Sequence, residues 1–209
     1  MSRPRVLLAD DHRILAEGLR GLLEPEFELV GVVADGRELV AAGKKLRPDV
    51  VVVDITMPRL NGIEAAVQLR EAGVEAKFVF LTMHRDVAYA RRAMEAGASA
   101  FLLKHSAASE LVTAIREALC GRTYVTPAIA GELLQSYRSP NPEATRLTPR
   151  QREVLQLFAE GRSAKEVAAV LTISPRTAEF HKSRILEALG IGTTAELIQY
   201  AIRNGIVSV

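Results

Sequence analysis

Cysteine and long apolar runs are what this chain of 209 residues most clearly lacks. A single cysteine, Cys120, excludes an internal disulfide and is typical of proteins kept in a reducing compartment. No apolar run approaches the roughly 20 residues that cross a bilayer as a helix. The first run, at residues 6–9, is too short for a signal peptide and ends in two aspartates. We therefore expect a soluble, cytoplasmic protein without a membrane partner.

The charge is nearly balanced overall but unevenly distributed. The formal net charge is +2, and 48% of the residues are hydrophobic, which is ordinary for a globular protein. Residues 1–120 hold 16 Lys and Arg against 17 Asp and Glu, whereas residues 146–209 hold 9 against 6. The length suits two domains, and the positive excess in the second permits a nucleic-acid partner without requiring one.

Four short apolar runs in the first half each end in polar residues. The runs cover residues 6–9, 50–53, 78–81 and 101–103, and they are followed by Asp10 and Asp11, Asp54, Thr82 and Lys104. Continuous aliphatic runs of this length are typical of strands buried on both faces of a parallel sheet. Because the carboxyl ends of such strands form the binding crevice, we expect these polar groups to meet there. The combination predicts a site for a divalent cation and a phosphoryl group.

Taken one at a time, the same residues have simpler interpretations. Two aspartates after a strand often only cap the next helix, and a lysine in such a position is often solvated. Taken together they favour a cation site, since packed carboxylates raise one another's pKa unless a cation neutralises them. One carboxylate could also act as a nucleophile and form an acyl phosphate.

Apolar runs alternate with helical patterns through residues 1–120. We predict strands near residues 5–10, 27–34, 50–54, 77–82 and 100–103, and helices near 13–23, 36–46, 62–72, 86–96 and 107–120. Five repeats of strand and helix indicate an α/β fold, a flavodoxin-like doubly wound sheet of five parallel strands. Gly73 and Gly97 follow helical runs, where a left-handed cap residue is favoured.

After Gly121 the strand pattern stops, and the rest of the chain is predicted to be helical. A short helix near 127–137 is followed by Ser139-Pro140-Asn141-Pro142, which breaks any helix. In residues 146–209, helix starts are marked by Ser174-Pro175 and by capping boxes that begin at Thr148, Ser163 and Thr193. Suitable helix ends are Gly161, Gly190 and Gly205. A tight turn at residues 172–173 separates the middle two of four helices, which predicts a small all-α helix-turn-helix domain.

Residues 1–121 resemble the receiver domain of bacterial two-component response regulators. The resemblance is carried by Asp10-Asp11, Asp54 with Met57-Pro58 and Gly62, Thr82, Phe101 and Lys104. It implies that Asp54 accepts a phosphoryl group from the phosphohistidine of a sensor kinase. It also implies Mg²⁺ (or Mn²⁺) held by Asp11, Asp54 and the backbone carbonyl of Thr56, with Asp10 acting through water.

The resemblance further implies a switch at the phosphoryl group. Thr82 and Lys104 would contact the phosphoryl oxygens, and Thr82 and Phe101 would move together as a switch pair. Phe101 keeps a second interpretation as an aromatic residue of the core. Thr56 and His84 are positions that vary in the family, so the resemblance assigns their side chains no role. From their places near the strand ends we expect them to flank the phosphoryl group, where they could tune its hydrolysis, although a solvated loop position is favoured for His84.

Residues 146–209 resemble the LuxR-type helix-turn-helix domain. The matching residues are 147–155, 160–161, 166–168, 171, 173–177, 181, 185, 189–190 and 197. The whole chain is therefore similar to response regulators of the NarL/FixJ subfamily. Its predicted parts are a receiver domain at 1–121, a linker with a short helix at 122–145, and a DNA-binding domain at 146–209.

The helical periodicity of residues 175–189 separates a core side from an outer side. Ala178, Ile185 and Leu189 recur at core spacing, and His181 falls on that side, so packing is favoured for it over base contact. The residues predicted to contact DNA are Arg176, Thr177, Glu179, Phe180, Lys182, Ser183 and Arg184. Glu179 can accept from a cytosine amino group but repels phosphate, and Phe180 can touch a thymine methyl. Which of these residues read bases stays open.

These features predict a DNA-binding transcription regulator rather than an enzyme. Phosphorylation of Asp54 would favour dimerisation or release the helix-turn-helix, and two modules would read promoter half-sites about 10 base pairs apart. The expected partners are double-stranded DNA, a sensor histidine kinase and a second copy of the chain, with RNA polymerase as a further candidate.

Two alternatives come from other classes of protein. A regulator with the same DNA-binding output could have a receiver controlled by protein interaction instead of phosphorylation. A haloacid-dehalogenase-type phosphatase shares the Asp, Thr and Lys set, but it needs a second aspartate where this chain has Thr56.

Overall fold

Strands and helices alternate through the first part of the chain, in a computed structural model that describes residues 3–138, 147–204 and 206–207. The strands are β1 (Arg5–Ala9), β2 (Glu28–Val33), β3 (Val50–Asp54), β4 (Lys77–Thr82), β5 (Ala100–Leu103) and β6 (Tyr124–Val125). The helices are α1 (Arg13–Leu23), α2 (Gly36–Leu46), α3 (Gly62–Glu71), α4 (Val87–Glu95), α5 (Ala107–Leu119) and α6 (Pro127–Ser136). These elements are called the sheet unit below.

All six strands are parallel and form one sheet in the order β2-β1-β3-β4-β5-β6. Each face carries its own hydrophobic core: β1 places Val6 and Leu8 in one cluster and Leu7 and Ala9 in the other. The four valines of β3 divide in the same way between the two clusters. These valines and the four residues of β1 named above are all fully buried. The flavodoxin-like, doubly wound fold is therefore confirmed.

The strand order reverses between β1 and β3, which lie side by side with Ala9 opposite Val53. In open parallel sheets, the crevice at the carboxyl ends of two such strands is where ligands bind. Asp10 directly follows β1, and Asp54 is the last residue of β3. The sheet order therefore brings these two carboxylates to the same crevice.

The sheet has one strand more than the five that the sequence predicts. Tyr124 and Val125 pair with Ala100 and Phe101 of β5. A strand of two residues is too short to show a periodic pattern, so only the contact with β5 reveals it. The helix α6 follows directly and packs Ile129 into a core of the sheet unit. The first part of the segment predicted as a linker thus lies against the sheet.

Four helices form a second unit, called the helical unit below: α7 (Pro149–Ala159), α8 (Ala164–Leu171), α9 (Pro175–Leu189) and α10 (Thr194–Arg203). The three predicted capping boxes are present, with both reciprocal hydrogen bonds formed at Thr148, Ser163 and Thr193. Thr172 ends α8 in a left-handed conformation with φ 55°, and Ser174 caps α9. The predicted helix-turn-helix is therefore α8, a turn at residues 172–174, and α9.

Two predicted features lie outside the described residues, namely the helix break at Ser139-Pro140-Asn141-Pro142 and the helix end at Gly205. Among the helices of the described ranges, none is both long enough and apolar enough to cross a membrane.

Gly62 gives a test of the packing behind Asp54. A Cβ atom at this position would lie 2.1 Å from the carbonyl oxygen of Asp54, which is backbone and cannot give way easily. We expect Gly62→Ala to lower the free energy of unfolding by about 1–3 kcal/mol in urea denaturation. Gly21→Ala is the control, because nothing lies within 4 Å of a Cβ at that helical position. Equal stability of the two variants would contradict the packing described here.

Candidate functional site

Three aspartates and a histidine cluster at the crevice between β1 and β3. Asp10, Asp11, His12 and Asp54 each offer a ligand atom, and these atoms all lie within 4.8 Å of one another. Asp10 and Asp54 are buried, whereas Asp11 is partly exposed and His12 is exposed. The crevice thus presents a concentrated negative charge with one edge open to solvent.

Lys104 supplies the positive charge nearest to this cluster. It follows β5, and its Nζ atom lies 2.7 Å from Asp54 Oδ2 and 2.9 Å from Asp10 Oδ2. The side chains of all three residues are at most 2% exposed. Because unpaired charges at such depth are strongly unfavourable, the ammonium group stabilises two carboxylates that the strand ends force together.

Burial and charge act in opposite directions on the ionisation of the cluster. Burial raises the pKa of Asp54 to about 6, although the nearby Lys104 acts to lower it. Burial alone would lower the pKa of Lys104, but the carboxylates of Asp54 and Asp10 outweigh this effect and raise it. A further cation beside Asp54 would favour the ionised carboxylate and lower its pKa.

His12 belongs to the cluster although the sequence analysis did not select it. Its Nδ1 atom lies 3.0 Å from Asp11 Oδ1 and 3.3 Å from Asp10 Oδ1. Its backbone N–H also donates to Asp10 Oδ1 at 2.9 Å. The only signal in the sequence is its place directly after the aspartate pair, and that place does not fix where the ring points.

The other residues predicted at this site are Thr56, Thr82, His84 and Phe101. The N–H group of Thr56 donates to Asp54 Oδ1 at 3.2 Å. Thr82 ends β4 and is fully buried, and its Oγ1 atom accepts the N–H of His84 at 3.1 Å. The His84 ring stacks on Tyr89, with ring centroids 5.6 Å apart. Phe101 is fully buried in a core of the sheet unit. This is the environment expected for the interpretation of Phe101 as an aromatic residue of the core.

The residues present fit a small divalent cation. Mg²⁺ prefers oxygen ligands and usually takes one or two carboxylates with waters and phosphate oxygens. The crevice offers carboxylate oxygens from three aspartates, and Thr56 lines one cavity together with Asp11. The cluster could therefore hold such an ion next to Asp54.

The helical unit docks directly beside this crevice. Gln156 of α7 is only 1% exposed, and its Nε2 atom donates to the Met57 carbonyl at 2.9 Å. Its Oε1 atom accepts the Asn61 N–H at 2.8 Å. Glu160 accepts the N–H of Arg59 at 3.0 Å. These contacts hold residues 57–61, the segment between β3 and α3, against α7.

Ionic contacts extend the docking surface along α3 and α4. Glu64 is buried and lies 3.3 Å from Arg152 of α7 and 3.4 Å from Arg92 of α4. Arg92 also donates to the carbonyl of Asn204 at 2.8 Å. Burial raises the pKa of Glu64, and the two guanidinium groups act to lower it. The junction between the units is thus polar and buried at the same time.

A cavity of about 170 Å³ lies where the two units meet. Asp11, Thr56, Met57 and Pro58 line it from the sheet unit. The helical unit contributes the lining residues Gln156, Glu160, Ile206 and Val207. The helical unit therefore borders the same space that the acidic cluster opens into. Sequence reasoning missed Gln156 and Glu160 in this role, because no local pattern indicates a contact with the sheet unit.

The outer side of α9 stays uncovered in this docked arrangement. Ala178, Ile185 and Leu189 are buried as predicted, and His181 is half-buried. Of the residues predicted to contact DNA, Arg176, Glu179, Phe180, Ser183 and Arg184 are exposed and Thr177 is half-buried. Lys182 is also half-buried, and its ammonium group lies 4.8 Å from the centroid of the Phe158 ring. The structure thus directs Lys182 toward α7, away from the exposed set.

Two family models match the chain. The model of the response regulator receiver domain matches residues 6–116, and that of the bacterial regulatory proteins of the luxR family matches residues 145–201. The transcriptional regulatory protein MctR of Rhizobium johnstonii is 38% identical, over 98% of this chain and 95% of its own length.

Solved structures are similar over nearly the whole chain. The Salmonella typhimurium response regulator RcsB matches with a TM-score of 0.67 and 28% identity, over 96% of this chain and 97% of that one. A structure of the RcsB–DNA complex matches with a TM-score of 0.60 and 26% identity, over 95% and 98%. The relatives are transcriptional regulators, and the chain belongs to the LuxR (NarL/FixJ) family of two-component response regulators.

Proposed function

We propose that this response regulator accepts a phosphoryl group on Asp54 from a sensor histidine kinase and thereby controls the binding of its helical unit to promoter DNA. The observation that carries the proposal is the buried Asp54 carboxylate, 2.7 Å from Lys104 Nζ within a cluster of acidic ligands. Such a constellation offers a nucleophile, a cation for phosphoryl oxygens and a metal site in one crevice. The similarity to a regulator bound to DNA supports the output.

The transfer step would use Asp54 as the nucleophile. One of its carboxylate oxygens forms a bond to phosphorus while the P–N bond of the partner's phosphohistidine breaks, and the imidazole leaves with the electron pair. The Lys104 ammonium would then exchange part of its contact with Asp54 for a phosphoryl oxygen. Thr82, which ends the neighbouring strand β4, would donate its hydroxyl to another. Phe101 would follow Thr82 as the switch aromatic.

Asp11, Asp54 and the backbone carbonyl of Thr56 would hold Mg²⁺ (or Mn²⁺), with Asp10 acting through water. The ion supplies charge neutralisation for the phosphoryl oxygens. His12 also lies beside this ligand set, since its Nδ1 atom lies 3.0 Å from Asp11 Oδ1.

We further propose that the segment at residues 57–61 transmits the state of Asp54 to the helical unit. The segment begins directly after Thr56, whose N–H donates to Asp54 Oδ1, and Gln156 binds both its Met57 carbonyl and its Asn61 N–H. A shift of this segment on phosphorylation would break these two hydrogen bonds, which is costly because the Gln156 amide is buried. Release would free the helical units of two copies to orient as a dimer on two half-sites.

Phosphorylation of the full chain is the first test. Incubated with acetyl phosphate and Mg²⁺, the protein is expected to gain one phosphoryl group by intact mass and to bind genomic promoter fragments more tightly. Asp54→Asn removes the nucleophile, so we expect it to show neither change. Asp49→Asn, an exposed position at the other end of β3, is the matched control and should behave as wild type.

Two outcomes would contradict the phosphorylation mechanism: no adduct on the wild-type protein, or equal DNA binding by wild type and Asp54→Asn. The second outcome, with DNA binding retained, would favour a receiver that is controlled by protein interaction.

Gln156→Leu tests the coupling between the units. The change keeps the size of the side chain but leaves the Met57 carbonyl and the Asn61 N–H without partners. We expect the docked arrangement to lose about 1–3 kcal/mol, which corresponds to about 5- to 150-fold in the docking equilibrium. Small-angle scattering of the unphosphorylated protein should show a larger radius of gyration, and its affinity for DNA should rise toward that of the phosphorylated protein.

The control for this variant is Gln199→Leu, an exposed glutamine on α10. A Gln156→Leu protein with the dimensions and DNA affinity of this control would show that the contact does not regulate docking.

A further inference from the structure

Phe180 stands apart from the other phenylalanines of the chain. Five of the six, at positions 27, 78, 80, 101 and 158, are at most 4% exposed, whereas Phe180 is 60% exposed. A single exposed apolar residue is common on protein surfaces, so exposure alone means little. Its position is what matters: it lies on α9, on the side opposite the buried Ala178, Ile185 and Leu189.

Two cations lie on the same side of α9, one helical turn before and one turn after Phe180. They are Arg176 and Arg184, and both are exposed. The guanidinium carbon of Arg184 lies 5.9 Å from the centroid of the Phe180 ring. The helix therefore presents an apolar ring between two positive charges. A DNA major groove offers the matching arrangement, with phosphates along its edges and base edges on its floor.

The chemical character of the Phe180 ring decides which base edges it can contact on the floor of the major groove. Phenylalanine has no hydrogen-bond donor or acceptor in its side chain. Against the polar edge of adenine, guanine or cytosine it would displace water without replacing the lost hydrogen bonds. Thymine differs because it carries a methyl group on C5 in the major groove. Contact with that methyl group removes apolar surface of both partners from water.

We propose that Phe180 is a specificity-determining residue that reads the C5 methyl group of a thymine in each half-site. The inference rests on the DNA-binding function proposed above and adds the chemical group that is recognised. Arg176 and Arg184 hold the helix on the phosphates beside that base, so the ring is set against the groove floor. The contact is available in the docked arrangement too, because the sheet unit leaves this side of α9 uncovered.

The test removes the methyl group and nothing else. Duplexes are selected from randomised double-stranded DNA with the full chain, treated with Mg²⁺ and acetyl phosphate. In a selected duplex, each thymine is then replaced singly by deoxyuridine, and affinity is measured by fluorescence anisotropy at one fixed salt concentration. For the wild-type protein we expect one thymine in each half-site whose replacement weakens binding by about 4-fold, the effect of one buried methyl group. Phe180→Ala should bind the thymine and uracil duplexes equally.

Two further variants sharpen the result. Phe180→Leu keeps an apolar side chain and should retain part of the thymine preference. Leu134→Ala removes another exposed apolar residue, 71% exposed on α6, and should keep the full preference. The inference is overturned if the wild-type protein shows no difference between thymine and uracil at any position, or if Phe180→Ala keeps the wild-type ratio. Failure of the wild-type chain to select any duplex would contradict the DNA-binding function itself, and the inference with it.

Discussion

Two carboxylates buried side by side need a cation, and this electrostatic constraint shapes the sheet unit. The strand order places Asp10 and Asp54 at adjacent strand ends, where both are almost fully buried. Lys104 reaches them from the end of β5, across the end of β4, and contacts both. One ammonium group thus contacts both aspartates, and any group that competes for it changes how strongly each carboxylate is stabilised. A phosphoryl group on Asp54 would be such a competitor.

The segment between β3 and α3 connects that balance to the rest of the molecule. Its first part lines the cavity beside Asp11. Its later part donates the Arg59 N–H to Glu160, which directly follows α7, and the Asn61 N–H to Gln156 of α7. Arg59 within it adopts a left-handed conformation with φ 65°, which is uncommon for a residue other than glycine. Its guanidinium group pairs with Asp35, and its N–H donates to Glu160. The segment is thus held by contacts from both units.

The docked arrangement restrains the helical unit without covering its outer helix side. The contacts involve α7 and the residues after α10, while α9 keeps an exposed set that includes Phe180 and both of its flanking arginines. Control of DNA binding through this interface would therefore act on the orientation and pairing of helical units. It would not need to unmask the residues that meet the bases.

Local patterns in the sequence were sufficient to predict five of the six strands, the α-helices and the acidic cluster. Buried parallel strands require continuous apolar runs, capping boxes mark helix starts through contacts three residues apart, and the carboxyl ends of parallel strands share one edge by geometry. For these reasons the positions of Asp10, Asp11, Asp54 and Lys104 followed from the chain alone. The sixth strand did not, because two residues carry no periodicity.

Tertiary structure alone decided the features that depend on contacts between distant residues. Gln156 binds partners 95 and 99 residues away, so no local pattern indicates its role. The inward direction of Lys182 depends on the Phe158 ring of another helix, and the place of His12 depends on how its ring turns toward Asp11. Sequence determined which side chains follow each strand and cap each helix, since those relations are local. The junction of the two units came only from the fold, because it depends on complementary surfaces that the chain builds from separate segments.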